Sequence, residues 1–357
     1  MIIYIDESIA QKGKQEEMTF EEKVMFTQLA CSHISGDCYL TGDDSSIKWL
    51  REKMPDYFGP IKGHHSELGI LIDAVEVVVV LSYNDTAEIK MLQGKSRVIT
   101  IEEALSYRLS ERCSLLGENR NDCAFYNLLA VRYMNTRPGK MRGTMLSFKK
   151  EAGGGSTSHT AFEECVEGNK NLTLCLVDSD IKYGPTERYP DQKKGDTLKK
   201  LIDVKNRLEK TPLRKIFEVY DLPVHEAENL IPISVLRDIA NTSVPEMRKG
   251  VAFLEKLLQA EKTEAMLYYD FKNGGNKVKT DPSFNYWYGI GLDIDDVDFP
   301  PLCSGVLEKA IGYLSQVDTQ GNIQVTVVSL DNYLIPLWNT IGSKVYTWGC
   351  ASKPIRC

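Results

Sequence analysis

The sequence predicts an α/β protein with mostly parallel sheet, and three observations predict it. Short apolar runs alternate with amphipathic stretches from residue 1 to 105, and the same rhythm returns from 113 to about 220, as in successive βαβ units. Runs such as VEVVVVLSY and NLTLCLVDSD are rich in aliphatic residues and read as buried strands. Hydrophobic residues make up 42% and charged residues 26% of 357 residues, so a sizeable core can form without disulfide or metal staples.

The elements follow in order. IIYID reads as a strand, SSIKWLREKM as a helix opened by Asp44 and Ser45, and VEVVVVLSY as a strand. TAEIKML is a short helix, RVITI a strand and EEALSYRLSER a helix. The second stretch brings the strand CSLLGE, the helix NDCAFYNLLAVRYM, the strand TMLSFKK, the loop AGGGSTSHT and the helix AFEECVEG. The strand NLTLCLVDSD, the basic helix DTLKKLIDVKNRLEK and the extended segment RKIFEVYDLPVHEAENLI complete it. Beyond Pro232 the pattern turns helical, with Pro245 suited to a first turn. The last 80 residues, richer in Gly, Pro and aromatics, form an accessory domain or a wrap over the preceding sheet. The expected division is an N-terminal α/β region over 1–110, a catalytic domain over 111–235 and a helical and aromatic-rich C-terminal region over 236–357.

Several classes are excluded. The start MIIYIDES is acidic by Asp6 and Glu7, unlike a signal peptide. The longest apolar run, Val75 to Leu81, is broken by Glu76 and falls far short of a membrane span. A cytoplasmic protein with no membrane partner is expected. Nine scattered cysteines without a C-x-x-C pair argue against a disulfide framework or structural zinc. The pair His64-His65 reads as a surface helix start. Net charge is −7, yet residues 132–215 hold 18 Lys+Arg against 11 Asp+Glu. That asymmetry suits one anion-facing groove, although solvated helix faces account for at least half of these lysines.

The chemistry is expected at strand ends, because open parallel sheets bind ligands at their carboxyl edge. CSLLGE ends at Glu118, LTLCLVDSD at Asp178 and Asp180, and LPVHEAEN at Glu226 and Glu228. Asp178 and Asp180 stand two apart, so on an extended backbone both point to one side. Like charges so close call for a cation, and Mg²⁺ or Mn²⁺ suits such a set. Lys182 is a candidate for offsetting charge on a phosphate in the transition state. Each element has a plainer rival. Asp122 also fits the N-cap of a helix beginning at Cys123. Gly153 to Gly155 fit a turn, favoured over a phosphate cradle, with Thr160 to Glu163 a capping box for the next helix. The run Asp293 to Asp298 lacks the pattern of an EF-hand and reads as a solvated loop. Tyr286, Trp287, Tyr288, Trp338 and Trp348 read as packing residues rather than base-stacking ones.

The ordered series GENRNDCAFY, GGGST, LVDSD and HEAEN resembles the TOPRIM domain of overcoming-lysogenization-defect (OLD) nucleases and related prokaryotic defence nucleases. The likeness spans roughly residues 112 to 232. It implies a TOPRIM-like sheet and a Mg²⁺-dependent nuclease acting on DNA or RNA. Glu118 would match the first-motif glutamate and Asp122 the acid on the following helix. Asp178 and Asp180 would match the metal pair, and Glu228 the downstream acid. Gly184 lies four residues after Asp180, where topoisomerase-type members place a glycine at three. There is no G-x-x-x-x-G-K-[ST] sequence, so an ATPase partner in an antiviral defence system would be a separate protein, and homo-oligomers are expected. Two alternatives stand beside this one: a non-catalytic TOPRIM-like regulatory module, and an N-terminal PIN- or RNase H-like nuclease using Asp6 with Asp73 or Asp85.

Overall fold

Two parallel sheets organise the chain. The computed structural model describes residues 1–63, 66–137, 141, 143–184, 194–274, 282–290, 301–317, 323–326 and 328–355. The first sheet holds β1 (Ile2–Ile5), β2 (Tyr39–Gly42), β3 (Val78–Ser82) and β4 (Ser96–Thr100), in the spatial order β2-β1-β3-β4. The second holds β5 (Cys113–Gly117), β7 (Phe148–Ala152), β8 (Thr173–Val177) and β9 (Phe217–Asp221), in the order β7-β5-β8-β9. Every pairing in both is parallel. The α/β expectation therefore holds. Residues of β1, β3, β5 and β8 are buried throughout, as expected for central strands covered on both faces.

Local chemistry moves several boundaries. Asp43, not Asp44 or Ser45, caps the helix Asp44–Lys53, its carboxylate accepting from the Ser45 and Ser46 amides. TAEIKML is helical only as a single 3₁₀ turn at Lys90–Leu92. TMLSFKK is not one strand. Its first part is β6 (Thr144–Leu146), which pairs antiparallel with Cys350–Ser352, and its second part is β7. Thr160 and Glu163 lie inside the helix Ser158–Glu163, so they form no capping box at its start. His64, His65 and Asp293 to Asp298 lie outside the described residues.

The chain end ties the two sheets together. The helix Leu334–Gly349 runs along the helix Arg120–Asn135. A Cβ on Gly342 would stand 2.7 Å from the Leu129 carbonyl oxygen, an approach that only glycine permits. Beyond that helix, the Ser352 amide donates to Cys38 at 3.1 Å and the Ile355 amide to Ile34 at 2.9 Å. The Met1 ammonium donates to the Cys350 carbonyl at 2.6 Å. Between the sheets Glu218 of β9 gathers Lys344 at 2.6 Å, Trp348 Nε1 at 3.1 Å and Arg97 of β4 at 3.4 Å, and Lys344 also reaches Glu76 at 2.9 Å. Among the described residues no helix is long and apolar enough to cross a membrane.

Candidate metal centre

In the second sheet the chain leaves β5 toward β7 on one side and returns to β8 on the other. The crevice between β5 and β8 is thus a topological switch point, where doubly wound sheets take ligands. Glu118 follows β5, and Asp178 and Asp180 follow β8, so both flank that crevice. Glu226 and Glu228 are not strand ends. Strand β9 stops at Asp221, and the two glutamates lie on the loop and 3₁₀ turn beyond it. Asn229 holds that turn, its side-chain amide donating to the Met266 and Tyr269 carbonyls at 2.8 and 2.9 Å.

Asp122 lies on the helix Arg120–Asn135 as its third residue, and Asn119 is the N-cap. The two exchange hydrogen bonds: the Asn119 amide donates to Asp122 Oδ2 at 2.9 Å, and the Asp122 amide to Asn119 Oδ1 at 3.1 Å. This reciprocal capping box corrects the expected cap position and turns a buried carboxylate toward Glu118.

The cluster is electrostatically crowded. Burial first, then Asp180 and Asp122, push the Glu118 carboxyl up to about 7, with Lys272 pulling the other way. Burial and then Glu226 push Glu228 up to about 7, again against Lys272. Asp178 is raised well above the usual carboxylate range by burial, then by Glu118, Asp122, Glu228 and Glu226. Burial also raises Asp122. Lys272 bonds Glu226 at 2.7 Å. Burial would lower its ammonium, but Glu226, Glu228 and Asp178 outweigh that and raise it.

Asp178 and Asp180 do not share one side of an extended strand. Strand β8 ends at Val177, and Asp180 has φ +53°, a left-handed conformation that Asp tolerates better than most residues. Asp178 turns inward, where its Oδ1 accepts from the Ala227 amide at 3.1 Å. The Asp180 amide donates to His225 O at 2.9 Å, and its carboxylate lies where a Cβ on Gly195 would fall. Lys182 is directed elsewhere, to Asp270 at 3.5 Å. The Gly153, Gly154 and Gly155 amides donate to the carbonyls of Gly117 and Glu118 at 2.8 to 3.2 Å. They close a turn against β5 and offer no phosphate cradle.

Sequence reasoning missed Asp270, Lys272 and the part played by His225. Asp270 accepts from the Lys272 and Asn273 amides at 3.1 and 2.8 Å. The D-F-K-N sequence is a signal of this Asx-type turn. Burial would raise the Asp270 carboxyl, but the neighbouring His225 ring and the hydrogen bonds from Asn273 outweigh it and hold the carboxyl well below the usual range. Among the described residues one group offers three His, Cys, Asp or Glu ligand atoms all within 4.8 Å of one another: His225, Glu226 and Asp270, each buried. Glu118, Asp178 and Asp180 do not form such a group.

Elsewhere the expected chemistry is thinner. Asp6 is buried and accepts from Ser82 Oγ at 2.8 Å and the Ser8 amide at 3.4 Å. Asp73 ends the helix that precedes β3, at the opposite edge of the sheet, and Asp85 is exposed; neither joins Asp6 in a ligand group. Several cations of the basic stretch 132–215 are paired: Arg207 with Glu163 and Glu167, Lys215 with Glu103, Lys194 with Asp221, and Lys205 with Glu209. Trp287, Trp338 and Trp348 are buried. A cleft of about 780 Å³ lies between β4 and β9, lined by Arg97, Lys205, Arg214 and Glu218 among others, and none of Glu118, Asp122, Asp178, Asp180 and Glu228 lines it.

No protein-family model, no curated protein and no solved structure matches this chain.

Proposed function

We propose that this chain is a TOPRIM-like, metal-dependent nuclease that hydrolyses phosphodiester bonds of DNA or RNA, with its centre at the ends of β5 and β8. The observation that carries the reading is the convergence of Glu118, Asp122, Asp178, Asp180 and Glu228 on one switch-point crevice, with raised carboxyl pKa values at four of these five acids. Oxygen-only donors of this kind fit Mg²⁺ or Mn²⁺. Glu118, Asp178 and Asp180 would hold the ion, with Asp122 and Glu228 beside it. When bound, the ion supplies a water of lowered pKa and neutralises charge on the leaving oxygen.

The chain's own residues do the rest. The Ala227 amide fixes one oxygen of Asp178. The Asn119–Asp122 exchange orients Asp122. Lys272, rather than Lys182, is the cation placed to offset the excess negative charge. The same resemblance suggests an effector in anti-phage defence, held by a separate ATPase. A second reading, a non-catalytic module, is favoured by one observation: Glu118, Asp178 and Asp180 do not bring three ligand atoms within 4.8 Å of one another.

One experiment decides. Plasmid and tRNA cleavage is measured with Mg²⁺ or Mn²⁺ for the wild type, Asp178→Ala/Asp180→Ala and Asp6→Ala. The proposal expects cleavage by the wild type and Asp6→Ala and none by the double variant. Cleavage by the double variant at the wild-type rate would sink it, and loss only in Asp6→Ala would move the site to the first sheet.

A further inference from the structure

The turn after β9 carries a second constellation whose chemistry differs from that of the strand ends. His225 is buried, and its Nδ1 lies 3.1 Å from the Ile181 carbonyl oxygen. A carbonyl only accepts, so Nδ1 carries the proton and the ring is fixed in one orientation. That leaves Nε2 turned toward Asp270 Oδ2 at 3.7 Å. The separation is longer than a charge-assisted hydrogen bond of roughly 2.7–2.9 Å. It does suit two ligands on one ion with bond lengths of about 2.0–2.2 Å. Glu226 offers a third atom, all three lying within 4.8 Å of one another.

We propose that His225, Glu226 and Asp270 form a site for a divalent transition ion, distinct from the strand-end carboxylates. Three observations carry it. The donor set mixes one imidazole with two carboxylates, which suits Mn²⁺, Fe²⁺, Co²⁺ or Zn²⁺ better than Mg²⁺. The outer nitrogen of His225 donates to a backbone carbonyl, as metal-bound histidines almost always do. Two ammonium groups stand at the cluster, Lys182 Nζ at 3.5 Å from Asp270 and Lys272 Nζ at 2.7 Å from Glu226, where a cation's charge is called for. Both lysine side chains are about half exposed, at 49% and 56%, so an arriving ion can displace them into solvent.

The site is linked to the strand ends through backbone. His225 O accepts from the Asp180 amide at 2.9 Å, and the Ala227 amide donates to Asp178 at 3.1 Å. An ion on His225, Glu226 and Asp270 would therefore stiffen the turn that holds both aspartates. The inference does not depend on the nuclease reading, since it concerns binding of a metal and not cleavage.

The test uses Mn²⁺ bound to the full chain, stripped of metal beforehand, and reads nitrogen coupling in its electron spin echo. An oxygen-only site gives no such coupling. The wild type is expected to show one coordinated nitrogen, and so is Asp178→Asn/Asp180→Asn. His225→Gln should lose the signal. Asp270→Asn, close to isosteric, should weaken Mn²⁺ binding by at least about tenfold while its circular dichroism stays that of the wild type. Lys182→Met should tighten binding, because it removes a competing ammonium. Absence of nitrogen coupling in the wild type, or its persistence in His225→Gln, would overturn the proposal. So would unchanged affinity in a folded Asp270→Asn. Loss of cleavage in Asp178→Ala/Asp180→Ala alongside a wild type without nitrogen coupling would reject this site and leave the nuclease reading intact.

Discussion

The two sheets share one relative strand order, second-first-third-fourth, and the residues at their carboxyl edges behave in opposite ways. In the first sheet each polar strand end has a structural partner. Asp6 takes hydrogen bonds from Ser8 and Ser82, Asp43 caps a helix, and Thr100 shares a capping box with Glu103. In the second sheet Glu118 and Asp178 are raised in pKa, by burial first and then by the further acids they face. Parallel topology creates a crevice in both, so topology alone does not make a site. What separates the two is crowded, buried like charge that Lys272 only partly offsets, an arrangement concentrated at functional sites.

The sharpest way to break that contrast is cleavage. Asp178→Ala/Asp180→Ala should lose it by on the order of 10³-fold or more, the scale at which removed electrostatic stabilisation acts, while Asp6→Ala stays within about twofold. Equal losses in both would erase the distinction between the sheets.

A second test concerns what joins the sheets. Lys344 bridges Glu76 and Glu218 with a side chain only 15% exposed. Lys344→Ala leaves Glu76 without its cation and Glu218 with only Arg97 and Trp348, and should cost about 2 kcal/mol in urea unfolding. The folded variant should still cleave, since none of these groups belongs to the crevice.

The third is pH. Glu118 and Glu228 carry folded-state pKa values of about 7 against an ordinary 4.5. The native state thus holds protons that the unfolded chain has released between those limits. The stability that these two carboxyls contribute to the metal-free protein should be fully present below about 4.5 and decline as pH rises to about 7. Urea unfolding in chelator across that range should show the decline, on the order of 3 kcal/mol for each group. Glu118→Gln should flatten the profile, and Asp6→Asn should leave its shape unchanged.

The smallest effect lies in the first sheet. Thr100→Ala removes the cap that accepts from the Glu103 amide at 3.2 Å. It should lower stability by about 1 kcal/mol without altering metal response. A changed metal response there would mean that the first sheet takes part in the site.

The sequence made the parallel sheets legible because aliphatic runs such as VVVVLS and TLCLV suit strands buried on both faces. It made Glu118 and Asp178 legible because an acid directly after such a run breaks the pattern. It misled over Asp180, since the two-residue spacing assumes an extended backbone and the chain turns left-handed there. It concealed Asp270 and Lys272, which lie more than 40 residues beyond the turn they complete and carry no periodic signal. The split of TMLSFKK between β6 and β7 was equally hidden, because the partner of β6 is the chain end at Cys350–Ser352.

The most direct measurement is thermal unfolding of the wild type and Asp178→Asn/Asp180→Asn above pH 7, in chelator and in Mg²⁺. If the strand-end acids are a cation site, the variant melts higher than the wild type in chelator, because repulsion has been removed while the acceptor for the Ala227 amide remains. Mg²⁺ then raises the wild type and leaves the variant where it was. A variant that melts lower in chelator, with the same Mg²⁺ shift in both proteins, would contradict the account.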